Sequence, residues 1–144
     1  MRDKIIRIRW SSPIPVDEAI QSDESLEPGL YFITRPWGSK DTSLYIGKAS
    51  RTIRERLIDH KKHWLHRYQR GQLLVSMGKI VYPPAVDEEI IDHAESALIF
   101  EHGDFLVENT DKRFSYSYSD LYQVQNIGDI GELKPIVRMK DHPD

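Results

Sequence analysis

The chain has 144 residues, 39% of them hydrophobic and 30% charged, which suits one globular domain and excludes a disordered or fibrous protein. It has no cysteine, so disulfide frameworks, thiol nucleophiles and cysteine-ligated zinc are excluded, and no apolar run approaches the roughly 20 residues of a membrane span. Twenty basic against 23 acidic side chains leave a net charge of −3, unlike a general nucleic-acid binder, and with no signal peptide read at the start the expectation is a cytoplasmic protein.

Ile6, Ile8 and Trp10 alternate with Arg7 and Arg9, a period of two that predicts a strand over Ile5 to Trp10, stopped by Pro13 and Pro15. A short helix is expected within residues 15 to 28. Gly29 to Thr34 and Ser43 to Lys48 are apolar, aromatic runs separated by RPWGSKDT, so they predict an antiparallel hairpin with a long loop. Alternation puts Tyr31 on one face with Ile33, and Tyr45 on one face with Gly47.

Thr52 and Glu55 match a capping box, and no Gly or Pro interrupts Ile53 to Arg70, so a long helix ending at Gly71 is predicted. Ile53, Leu57, Trp64 and Tyr68 form its apolar stripe, and Arg56, His60, His63, Arg67 and Arg70 fall in a neighbouring stripe roughly 80° wide. Arg51 to Arg70 holds seven basic residues against two acidic ones, +5 against −8 for the rest of the chain. That local field would steer an anionic ligand, although a solvated helix face has the same composition. Three histidines at His60, His63 and His66 raise the idea of zinc, but steps of three drift around a helix and no carboxylate groups with them.

Leu73 to Tyr82 predicts a third strand, broken by Pro83 and Pro84, and Asp87 is the expected N-cap of a second helix to about His102, with Gly103 as its stop. Ile90, Ile91, Ala94, Ala97 and Leu98 make its apolar face, with Glu95 on the flank. A carboxylate there costs free energy unless it is paired or holds a metal, and Glu101 competes with it for such a role. Further strands are expected at Leu121 to Gln125 and Lys134 to Met139.

Gly29-Leu30-Tyr31 and Tyr45-Ile46-Gly47, followed by Lys48-Ala49, resemble the paired signatures of the GIY-YIG nuclease domain. Arg56 and His60 on the first helix, Ala94-Glu95 with Leu98-Ile99 on the second, and Asn109 continue the resemblance, which covers Gly29 to Asn109. It implies a small α+β domain with a central three-stranded antiparallel sheet flanked by helices. Residues 1–28 and 110–144 would be N- and C-terminal extensions of that core, packing on the same domain.

The resemblance also implies metal-dependent endonuclease hydrolysis of DNA phosphodiester bonds. In that scheme Tyr31 is the general base, passing its proton toward His60; Arg56 stabilises phosphate charge; and Glu95 is the single protein ligand of magnesium or manganese. Tyr45 and Asn109 support by hydrogen bonding. A phenol that ordinarily titrates near 10 needs positive neighbours to act as a base, and the helix bearing Arg56 and His60 would supply them. Lys48, Arg54, His63, Arg67 and Arg70 are the groups expected to hold DNA, branched or single-stranded forms included, and target choice would rest on that stripe or on a protein partner. A non-cleaving nucleic-acid or protein binding module that retains the fold is the alternative. Aromatics such as Trp37 are the sole hint of a structural or assembly role.

Overall fold

The computed structural model describes residues 4–37, 40–68, 72–103, 106–109 and 122–138. Its strands are β1 (Lys4–Trp10), β2 (Ile14–Pro15), β3 (Gly29–Trp37), β4 (Lys40–Ala49), β5 (Leu74–Tyr82), β6 (Tyr122–Gly128) and β7 (Ile136–Arg138). The helices are α1 (Val16–Gln21), α2 (Ile53–His63) and α3 (Glu88–His102). One sheet runs β4-β3-β5-β1-β6-β7, with β2 added beside β5. All pairings are antiparallel except β1 with β6, so the sheet is mixed and the architecture is a small α+β domain.

The expected three-stranded antiparallel unit is present as β4-β3-β5, but it forms one end of the sheet and not its centre. The other end is built by the two chain extremities. β1 lies between β5 and β6, with Ile6, Ile8 and Trp10 buried, and β6 continues into β7. Leu121 and Met139, the outer residues of the two expected late strands, lie outside the described residues.

Helices cover both faces. Leu30 and Phe32 of β3 turn toward α3 with Ile46 and the β1 side chains, while Tyr31 and Ile33 turn toward α1 and α2 with Val75 and Met77. α3 begins as expected, with the Asp87 side chain accepting a hydrogen bond from the Ile90 amide at 2.9 Å. It then buries Ile91, Ala94, Ala97 and Leu98. None of the described helices is long and apolar enough to cross a membrane.

Two local expectations need correction. The hairpin has no long loop: β3 and β4 stay paired out to Trp37 and Lys40, taking in most of the turn-forming segment. Between Ile33–Tyr45 and Thr34–Ser43 the register skips Leu44, a β-bulge that leaves Leu44 and Tyr45 both on the α2 side. The long helix also ends early. Thr52 caps it, accepting from the Glu55 amide, but Trp64 leaves helical geometry with φ −147° and ψ −28°, and Leu65 to Arg67 form a single 3-10 turn. The Trp64 ring, just past the last helical residue, packs on His60 and Tyr45. Gly71, the expected stop, lies outside the described residues.

Candidate active site

The bulged strand, the start of α2 and the face of α3 that carries Asp92, Glu95 and Ile99 surround a cavity of about 700 Å3. Tyr45, Lys48, Arg56, Glu95 and Asn109, all singled out from the sequence, line it. Tyr31 and His60 do not; they stand behind Tyr45. The Tyr31 and Tyr45 rings stack with centroids 6.0 Å apart and His60 meets Tyr45 edge-on at 4.8 Å. Tyr31 is fully buried, and its hydroxyl lies 2.7 Å from His60 Nε2. The other ring nitrogen, His60 Nδ1, accepts from the Trp64 indole N–H at 2.9 Å.

Gly47 is what admits the Tyr31 ring. It pairs with Tyr31 across the strands, and a Cβ added there would collide with the Tyr31 hydroxyl and the Tyr45 ring. Asn109 fixes the same strand from its free edge. Its Oδ1 accepts from the Ile46 amide at 2.8 Å and its Nδ2 donates to the Ile46 carbonyl at 2.9 Å, while the Glu108 amide bonds the Leu44 carbonyl. The late asparagine therefore replaces a neighbouring strand at the bulge, satisfying both backbone groups of Ile46.

Glu95 is buried, 8% exposed, on the cavity side of α3. Its rival Glu101 is bound instead to Lys134 Nζ and does not line the cavity. Asp92, one turn before Glu95, also faces the cavity and holds Lys48 Nζ at 2.6 Å. Its place three residues before Glu95, on the same face of α3, is the sequence signal for it.

Burial raises the Tyr45 phenol above its ordinary value and the Glu95 charge raises it further; Arg56 and a hydrogen bond from Tyr31 work in the opposite direction. Tyr31 is also raised, by burial first and then by Tyr45, again opposed by Arg56. His60 is lowered to about 4 by burial and then by the Arg56 charge. His60 is thus neutral at pH 7, so the expectation that it supplies positive charge to the tyrosines fails. Arg56 supplies it.

The expected DNA-contact residues divide. Lys48 reaches the cavity but is paired with Asp92. Arg54 is turned onto the segment after α1, donating to Ser25 Oγ at 3.3 Å and the Ser22 carbonyl at 3.2 Å, and does not line the cavity. His63 and Arg67 border a second, open cleft of about 370 Å3 on the other side of Tyr45, where Arg67 pairs with Glu108 at 3.5 Å. Arg70 lies outside the described residues. The zinc idea meets a positive obstacle, because both His60 nitrogens are engaged and the Nδ1 atoms of His63 and His66 sit on the Asp59 and Lys61 carbonyls.

Among the described residues no three His, Asp or Glu side chains group as metal ligands. Four carboxylates line the cavity, Glu55, Asp92, Glu95 and Glu108, with Asp92 tied to Lys48 and Glu108 to Arg67, and a site centred on Glu95 suits a hard cation that keeps most of its waters and completes its shell with substrate oxygens, as magnesium does. No family model, no curated protein and no solved structure matches the chain.

Proposed function

We propose that the protein is a GIY-YIG-type endonuclease that hydrolyses DNA phosphodiester bonds with a divalent metal ion. One observation carries the reading. Tyr45 on β4, Arg56 on α2, Glu95 on α3 and Asn109 beyond it meet at one cavity, with Tyr31 and His60 stacked behind the cavity phenol. These are a proton acceptor, a permanent cation and a buried carboxylate, the set that attack by water on a phosphodiester requires.

The roles differ from the sequence expectation at the tyrosines. Tyr45, which touches the cavity, acts as the phenolate: once its own proton has left to solvent through the cavity, its oxygen takes the proton from the attacking water, and Tyr31, fully enclosed, stabilises that oxyanion through its hydroxyl. Arg56 stabilises the same oxyanion and the charge that builds on the phosphate, and it keeps its own charge throughout. Bound to Glu95, magnesium or manganese would cancel the carboxylate charge that raises both phenols and would polarise a phosphate oxygen. Asn109 holds β4 so that Tyr45 keeps its place.

The test is cleavage. Purified protein, incubated with linear, flapped, branched and single-stranded oligonucleotides, should cut or nick at least one of them with magnesium or manganese and none with EDTA. Binding without any product under all of these conditions would favour the non-cleaving module and end the nuclease reading.

A further inference from the structure

We propose that Trp64 is a positioning residue: its indole N–H holds His60 in the tautomer protonated at Nε2, and so orients the His60–Tyr31–Tyr45 chain with its donors directed at the cavity. The indole nitrogen can only donate. At 2.9 Å from His60 Nδ1 it requires a lone pair on that atom, and a neutral imidazole then carries its single proton on Nε2. Nε2 lies 2.7 Å from the Tyr31 hydroxyl, so His60 donates and Tyr31 accepts. The Tyr31 proton is left to point onward to Tyr45, whose phenol a hydrogen bond from Tyr31 lowers.

Direction matters chemically. With the opposite tautomer, Nε2 would accept the Tyr31 proton, and Tyr31 could no longer stabilise a negative Tyr45 oxygen. Through this hydrogen-bond chain the Trp64 indole acts on the cavity phenol, whose ring it also meets directly with centroids 5.6 Å apart, without touching substrate. Trp64 follows His60 by four positions, the spacing that sets two side chains on one face of a helix, and as the C-cap of α2 its backbone N–H still bonds the His60 carbonyl at 2.9 Å.

The groups facing His60 are consistent with a neutral ring. Arg56 and His63 of α2 oppose a charge on it, Asp59 favours one, and burial opposes it most. Tyr31 and Tyr45 face it from the sheet, and Glu108 lies in the same cleft.

The proposal is tested by long-range proton–nitrogen correlation on the histidines of the wild-type protein and of Trp64→Phe, which keeps a ring but loses the N–H. In wild type at pH 7, Nδ1 of His60 should resonate as the unprotonated nitrogen and Nε2 as the protonated one. In Trp64→Phe the two tautomers should mix, and the His60 titration should move up from about 4 toward the ordinary value of about 6.5. The role in cleavage rests on the nuclease reading: there kcat should fall about tenfold with KM little changed, and an acidic limb should appear in its pH profile. A proton on Nδ1 in wild type overturns the proposal, with no variant needed. So does an unchanged tautomer in Trp64→Phe, whatever happens to the rate. A wild type that shows the expected tautomer but cuts no DNA supports the Trp64 assignment and refutes the nuclease reading instead.

Discussion

Acid should destabilise this protein through His60 before most carboxylates titrate. Its folded value of about 4 lies below the ordinary value of about 6.5 in an unfolded chain, so between those values the unfolded state binds the extra proton. The stabilising contribution is complete above pH 6.5 and is lost as pH falls through the folded value. From pH 7 to pH 5 the linkage amounts to about 2 kcal/mol, roughly twentyfold in the folding equilibrium. The measurement is urea unfolding at both pH values for wild type and His60→Gln, paired with a direct NMR titration of the His60 ring. His102, also lowered by burial, contributes to the slope in both proteins and cancels in the comparison. Wild type should lose about 2 kcal/mol more than the variant over this range. Equal losses in the two proteins, or a folded His60 that titrates near 6.5, would refute the reasoning.

Glu95→Gln and Arg56→Ala should each lower the cleavage rate by roughly a hundredfold or more, with thermal unfolding little changed, because each removes a charge at the cavity and neither fills the core. Tyr45→Phe should reduce kcat by about 10² to 10⁴, and Tyr31→Phe by only about tenfold; the reverse order, measured in single turnovers, would restore Tyr31 as the base. Gly47→Ala should destabilise the fold by roughly 1–3 kcal/mol in denaturant titration, since the new methyl collides with the Tyr31 hydroxyl. Binding of DNA to the non-cutting Glu95→Gln protein, followed by fluorescence anisotropy, should show a slope of log K against log salt no steeper than about −3, the value for three phosphate-contacting cations. A slope near −6 would mean that the whole basic segment meets DNA.

Local chemistry was legible in the sequence where a residue's neighbours along the chain decide its surroundings. The alternation of Ile6, Ile8 and Trp10, the Thr52 and Asp87 caps and the helical spacing of Arg56 and His60 are of this kind. The end of α2 was not, because Trp64 and Tyr68 continue an apolar stripe whether or not the helix continues, and the Trp64 ring packs on Tyr45 and His60 from beyond the last helical residue. The skipped Leu44 left no periodic trace either, yet it brings Leu44 and Tyr45 to one side of the strand. Nor could alternation say which tyrosine touches the cavity, since both lie on the α2 side and only three-dimensional depth separates them. The parallel pairing of β1 with β6 joins Arg7 to Gln125, 118 positions apart, and has no local signature at all.

The basic segment shows how a charge count misleads when geometry is missing. Its +5 suggested an open phosphate-binding face, but Lys61 is paired with Asp17, Arg67 with Glu108, and Arg56 and His63 both reach Asp59. Arg54 is engaged by Ser22 and Ser25. Of the residues lining the cavity, Lys48, Arg51 and Arg56 are opposed by Glu55, Asp92, Glu95 and Glu108, which leaves the site slightly negative. Such a site repels a polyanion until a cation compensates Glu95, so metal and phosphate favour each other's binding, and by linkage each raises the affinity of the other equally. A nuclease arranged this way would bind its substrate weakly without metal. Its discrimination would then lie in which backbones can reach Tyr45, more than in any broad electrostatic attraction to DNA.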